Sequence, residues 1–181
     1  LGTKPMKAIV CDVRRALAGR WFWAALLATT AALYLSIGQA ADALMDDTQN
    51  LRFTLSELLL MALCGDFGML TLPALSALPF AAQALHEIKC GAVRPAVFRA
   101  GRRMWILGKA AGCILSGMVL QAAAAGLLGL ILYAVRGGGI LLEINAEFNA
   151  TLLRRMLCGG IWASVGCVMA LATETSSAAH L

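Results

Sequence analysis

The sequence predicts an all-α, polytopic transmembrane helical bundle, and three observations predict it. The 181 residues are 60% hydrophobic and 14% charged, against about 25% charged in a soluble domain, and mean hydropathy is +0.78. Four stretches are long and nearly free of charge. Eleven of the 15 Lys and Arg residues fall in only two of the segments that flank those stretches.

Residues 1–5, LGTKP, precede Met6 and are read as read-through or added sequence, leaving 6–181 as a single transmembrane domain. Next comes IVCDVRRALAGRWFW, which sets Ile9, Val10, Val13, Ala16 and Leu17 against Asp12, Arg14, Arg15 and Arg20. An apolar stripe with a basic opposite face predicts an interfacial amphipathic helix, with Trp21 and Trp23 marking the membrane boundary. A plain cytosolic lead-in to the first span is the alternative.

The apolar stretches predict spanning helices at about 21–41, 58–85, 110–135 and 156–173. A hydrocarbon core of about 30 Å needs roughly 20 helical residues, so the first three suffice and the fourth barely does. Barrel strands are excluded because the runs do not alternate and are too long.

The positive-inside rule sets orientation. Lys4, Lys7, Arg14, Arg15 and Arg20 precede the first span; Lys89, Arg94, Arg99, Arg102, Arg103 and Lys109 lie between the second and third. Those segments are expected in the cytosol, with both termini inside. The external loops hold Asp42, Asp46, Asp47, Glu57 and Arg52, then Arg136, Glu143, Glu147, Arg154 and Arg155. Arg154 and Arg155 sit at the fourth helix, where long side chains snorkel to headgroups.

Within the second span, Pro73 and Pro79 each remove a backbone donor and crowd a carbonyl, which predicts a kinked or locally unwound helix and a candidate hinge. Prolines whose carbonyls are re-satisfied by neighbours are the equal alternative. Asp66 lies in the same run. Either it marks a substrate path or proton relay, or the span begins at Phe67 and Leu58 to Gly65 is an interfacial or re-entrant piece on the outer side. Gly108, Gly112 and Ser116 on the third helix, and Gly160 with Ser164 and Gly166 with Ala170 on the fourth, predict close helix packing.

No catalytic set is present. HEIKC, from His86 to Cys90, lacks the second His of H-E-x-x-H, so no metal site is expected. Gly108-Lys109 is followed by Ala110 and preceded by Arg103, which breaks the phosphate-binding loop G-x-x-x-x-G-K-[ST]. No nucleophile, base or carboxylate pair shares a membrane depth, and no cofactor is expected. The six Cys form no C-x-x-C pair; four lie in apolar runs and read as reduced structural thiols.

The segment from His86 to Lys109 is too long for a turn and divides at Pro95 into a short piece and a basic helix entering the third span. Here EIKCG, from Glu87 to Gly91, forms E-x-x-x-G after the second span, followed by Arg94, Arg99, Arg102, Arg103 and Lys109. With the N-terminal helix, the acidic external loop and the run LPALSALPFAAQAL, this resembles the membrane subunit of a type-2 ABC transporter, the ABC-2 exporter permease family, over residues 6 to about 135.

The resemblance implies a bacterial inner-membrane protein, multi-pass, with a cytoplasmic N-terminus. It also implies a non-catalytic permease subunit whose coupling segment docks on a separate ATP-binding cassette subunit, beside a second or homologous permease copy. Glu87 would cap or pin the coupling turn, since a carboxylate suits a helix start, and Gly91 would bend the chain. Such permeases usually have six spans. The four here read as the N-terminal two-thirds of one, or as a complete four-span protein. Membrane lipids are expected partners and nucleic acid is not; the rival reading is a four-span scaffold or anchor with a lipid-binding basic loop.

Overall fold

The computed structural model describes residues 14–15, 17–45, 55–91, 98, 101–135 and 146–178. Among these, every regular element is helical: α1 (Arg20–Met45), α2 (Leu55–Cys64), α3 (Asp66–Lys89), α4 (Arg102–Val135) and α5 (Ala146–Ala178). Four of them, α1, α3, α4 and α5, are long and apolar enough to cross a membrane, over Arg20–Gly38, Gly68–Glu87, Trp105–Val135 and Ala146–Ala170. The four-span bundle is therefore present. Of the predicted N-terminal helix, Arg14, Arg15, Leu17 and Ala18 are helical; residues 1–13 lie outside the described residues.

Helix α1 buries Phe22, Ala25, Leu26, Thr29, Leu33 and Ser36, a stripe at helical spacing. Its buried hydroxyls are satisfied within the helix, Thr29 donating to the Ala25 carbonyl at 2.7 Å and Thr30 to Leu26 at 2.8 Å. Trp21 and Trp23 stay on the outside. Phe22, Leu26 and Leu33 meet Leu58, Leu59 and Leu63 of α2 and Leu120, Ala124 and Leu128 of α4 in the main core cluster. A smaller cluster of Phe80, Cys113, Ala163 and Cys167 joins α3, α4 and α5. Outward faces carry Leu27, Leu70, Leu130, Ile161 and Met169, each more than half exposed. So much apolar surface suits hydrocarbon rather than water.

The predicted span 58–85 is not one helix. It is interrupted at Gly65, and the preceding piece is the separate helix α2. As the alternative reading expected, the candidate span begins only at Gly68, after the exposed Asp66, and the short separate α2 packs into the bundle through Leu55, Ser56, Leu58, Leu59, Ala62 and Leu63. A Cβ on Gly65 would collide with the Ser36 hydroxyl of α1, so close approach rather than solvent exposure places the break. Helical hydrogen bonds still bridge it, from Gly65 N to Met61 O (2.9 Å) and from Met69 N to Gly65 O (3.1 Å). Conversely, α3 continues as helix through Pro73 and Pro79, so no local unwinding accompanies either proline.

Small residues bring helices together as expected, at partly different positions. A Cβ on Gly117 of α4 would stand 2.5 Å from the Gly159 carbonyl and 2.7 Å from the Ala163 Cβ, both on α5. These two backbones touch with no side chain between them.

Candidate functional site

At the end of the bundle that carries the α3–α4 connection, α3 runs out at Lys89 and the chain turns through Cys90 and Gly91. Cys90 N still bonds His86 O at 3.0 Å; then Gly91 takes φ +69°, in the left-handed region. Gly101 at φ +79° stands just before α4, where Trp105 N bonds its carbonyl at 3.0 Å. The expected bend at Gly91 is thus matched by a second one at Gly101 that E-x-x-x-G does not mark.

The predicted coupling residues divide. Glu87 does not stand at a helix start; it lies in the last turn of α3, where the helix dipole disfavours a carboxylate. A cation compensates, the Lys109 Nζ of α4 meeting Glu87 Oε2 at 2.7 Å, with both side chains mostly buried. Lys109 also lies 5.9 Å from the Phe80 ring centre. Arg103 is exposed on the first turn of α4, and Arg102 opens that helix. Arg94 and Arg99 lie outside the described residues. His86 and Cys90 face one another at 3.7 Å, and no group of three or more metal-ligating side chains occurs among the described residues.

Behind the ion pair opens a cleft of about 200 Å³ between α3, α4 and α5. Apart from Glu87 and Lys109 its walls are almost wholly apolar: Phe80, Ala84, Trp105, Ile106, Cys113 and Val168 among them. Cys113 donates its thiol to the Ala163 carbonyl at 3.0 Å, and Cys64, Cys90, Cys113, Cys158 and Cys167 are all free thiols.

A second polar site lies in the core. Arg155, expected to snorkel outward, is only 5% exposed, while Arg154 beside it is exposed. Arg155 Nη1 donates to the Leu63 carbonyl and Nη2 to the Gly68 carbonyl at 2.6 Å, on either side of the Gly65 break. The Leu63 carbonyl, in the last turn of α2, carries partial negative charge and lacks an intrahelical donor, whereas the Gly68 carbonyl, in the first turn of α3, also accepts from Thr71 Oγ1 at 3.4 Å. The guanidinium fork supplies the donor and the positive charge that the Leu63 carbonyl lacks and adds a second bond at Gly68, which is why burial wins over snorkelling. Asp66, by contrast, is exposed in the first turn of α3, where the dipole favours it.

The sequence singled out Glu87, Gly91 and the basic start of α4, and named Lys109 and Arg155 as charges, but did not pair Lys109 with Glu87, place the cleft or bury Arg155. Comparison with known proteins yields no matching family model, curated protein or solved structure.

Proposed function

We propose that this chain is the membrane-spanning permease subunit of an ATP-driven exporter in the cell membrane, with its N-terminus in the cytoplasm. It moves substrate by alternating access, powered by a separate ATP-binding cassette subunit, and works beside a second permease copy. ATP hydrolysis belongs to the partner.

The observation that carries the reading is the Glu87–Lys109 pair at 2.7 Å, which ties the end of α3 to the start of α4 and brackets the connection between left-handed Gly91 and Gly101. A connection held at both ends transmits a push to the helices it joins, which a slack loop does not. In sequence the connection carries Arg94, Arg99, Arg102 and Arg103, a basic content that suits docking on an acidic partner surface. Helix α3, with Asp66 at its start and Pro73 and Pro79 within it, is the candidate moving element. Direction and partner class rest on the resemblance of EIKCG and its basic flank.

The test is co-purification with a nucleotide-binding subunit from the native membrane. Glu87→Ala and Gly91→Pro are expected to release it, while Arg154→Gln, at an exposed position away from the connection, keeps it. If no ATPase subunit is recovered with the unmutated chain, the permease reading fails and the four-span anchor stands.

A further inference from the structure

We propose that the cleft between α3, α4 and α5 binds one acyl chain of an anionic phospholipid, whose phosphate rests on Arg103. This rests on the membrane setting alone and holds whether or not an ATPase subunit docks.

Position comes first. The cleft residues Phe80, Ala84 and Glu87 and Ser164, Cys167 and Val168 lie near the ends of two candidate spans, and Trp105 to Cys113 open a third, so all three meet at one end of the bundle. The rim residues Ile106 and Val168 are about half or more exposed, so the opening faces what surrounds the bundle. At that depth this is the acyl region beneath one headgroup layer.

Size and charge narrow the occupant. About 200 Å³ of almost wholly apolar space is less than the roughly 300–1,000 Å³ of sites for compact small molecules, and suits a slender chain. Arg103, Ile106 and Ala110 follow one another at i, i+3 and i+7 on one face of α4, so the exposed guanidinium stands one turn beyond the mouth. Glu87 is engaged by Lys109, so the rim presents no net negative charge to repel a phosphate. A guanidinium is matched to phosphate oxygens by its planar fork. Trp105 beside it belongs at headgroup level.

The full chain is reconstituted in bilayers of phosphatidylcholine mixed with phosphatidylglycerol, and the phospholipid retained after mild extraction is identified by native mass spectrometry. The unmutated chain is expected to retain phosphatidylglycerol in preference to phosphatidylcholine. Arg103→Gln should reduce that preference about fivefold, as one basic side chain near a headgroup layer is worth about 1 kcal/mol. Ala110→Trp, at an exposed position in the cleft wall, should abolish retention of both lipids while melting within a few degrees of the unmutated chain. Leu130→Trp, also exposed but outside the cleft, should change nothing. Equal retention of the two lipids by the unmutated chain, or full retention by Ala110→Trp, overturns the proposal.

Discussion

Arg155 and Gly68 are joined by a hydrogen bond of 2.6 Å, from Nη2 on α5 to the main-chain carbonyl just beyond the Gly65 break. Through its other amino group the same guanidinium holds Leu63, so one side chain bridges the two helices of a single apolar run. Arg155→Leu leaves the Leu63 carbonyl without its side-chain donor in the core, while the Gly68 carbonyl keeps its bond from Thr71. It is expected to lower bundle stability by about 2–3 kcal/mol, with Arg155→Lys recovering only part because an ammonium lacks the planar fork. Denaturant titration in mixed micelles checks both; equal stability of Arg155→Leu and the unmutated chain would show that the bridge contributes nothing.

Hydropathy made the four spans legible because lipid solvation acts on whole runs of residues. It could not place Arg155. An Arg at the edge of an apolar run looks the same whether it reaches headgroups or carbonyls, and these carbonyls belong to residues 92 and 87 positions away. Asp66 did hint at a break in the second run, yet the bend sits at Gly65 because Ser36 of α1 crowds it, a fact of packing. Glu87 and Lys109 were both visible as charges, but the folding back of the chain that pairs them was not.

Helix contact at Gly117 gives a second prediction. Gly117→Val would push a branched side chain into the Gly159 backbone, and overpacking of this kind costs about 1–3 kcal/mol. Gly126→Ala, with open space around it, should be neutral or slightly stabilising. Thermal melts of the two variants in one detergent decide; similar melting temperatures would refute the close contact.

The Glu87–Lys109 pair invites a double-mutant cycle. Both side chains are mostly buried yet keep 15% and 20% of their surface exposed, so solvent still screens the pair and the coupling is expected at about 1 kcal/mol. Glu87→Gln and Lys109→Gln should be non-additive, and raising salt should shrink the coupling. Strict additivity would mean that the ion pair does not form in solution.

Gly91 stands where an L-residue is strained. Gly91→Ala is expected to cost about 1–2 kcal/mol or to relax the turn, and Gly91→Asn less, since Asn tolerates the left-handed region. Protease susceptibility of the α3–α4 connection follows this: Ala should be cut fastest and glycine slowest.

Orientation can be read from a native thiol. Cys90 is exposed at the end of α3, on the side expected to face the cytoplasm. With the other five cysteines replaced by Ser or Ala, since Cys64 and Cys158 are exposed as well, a membrane-impermeant maleimide should label it only in permeabilised cells or inverted vesicles. Labelling in intact cells would reverse the topology.

The bare contact between Gly117 and Gly159 also fixes how α4 and α5 can move against each other. Sliding either helix lengthwise would drive neighbouring side chains into a gap too narrow for one methyl group, whereas tilting about the touching backbones meets no such obstacle. On α5 the fulcrum lies one turn from Arg155 and two turns from Cys167 in the cleft wall. Like the two arms of a balance, the guanidinium bridge and the cleft sit on opposite sides of that point, so widening one end bears on the other.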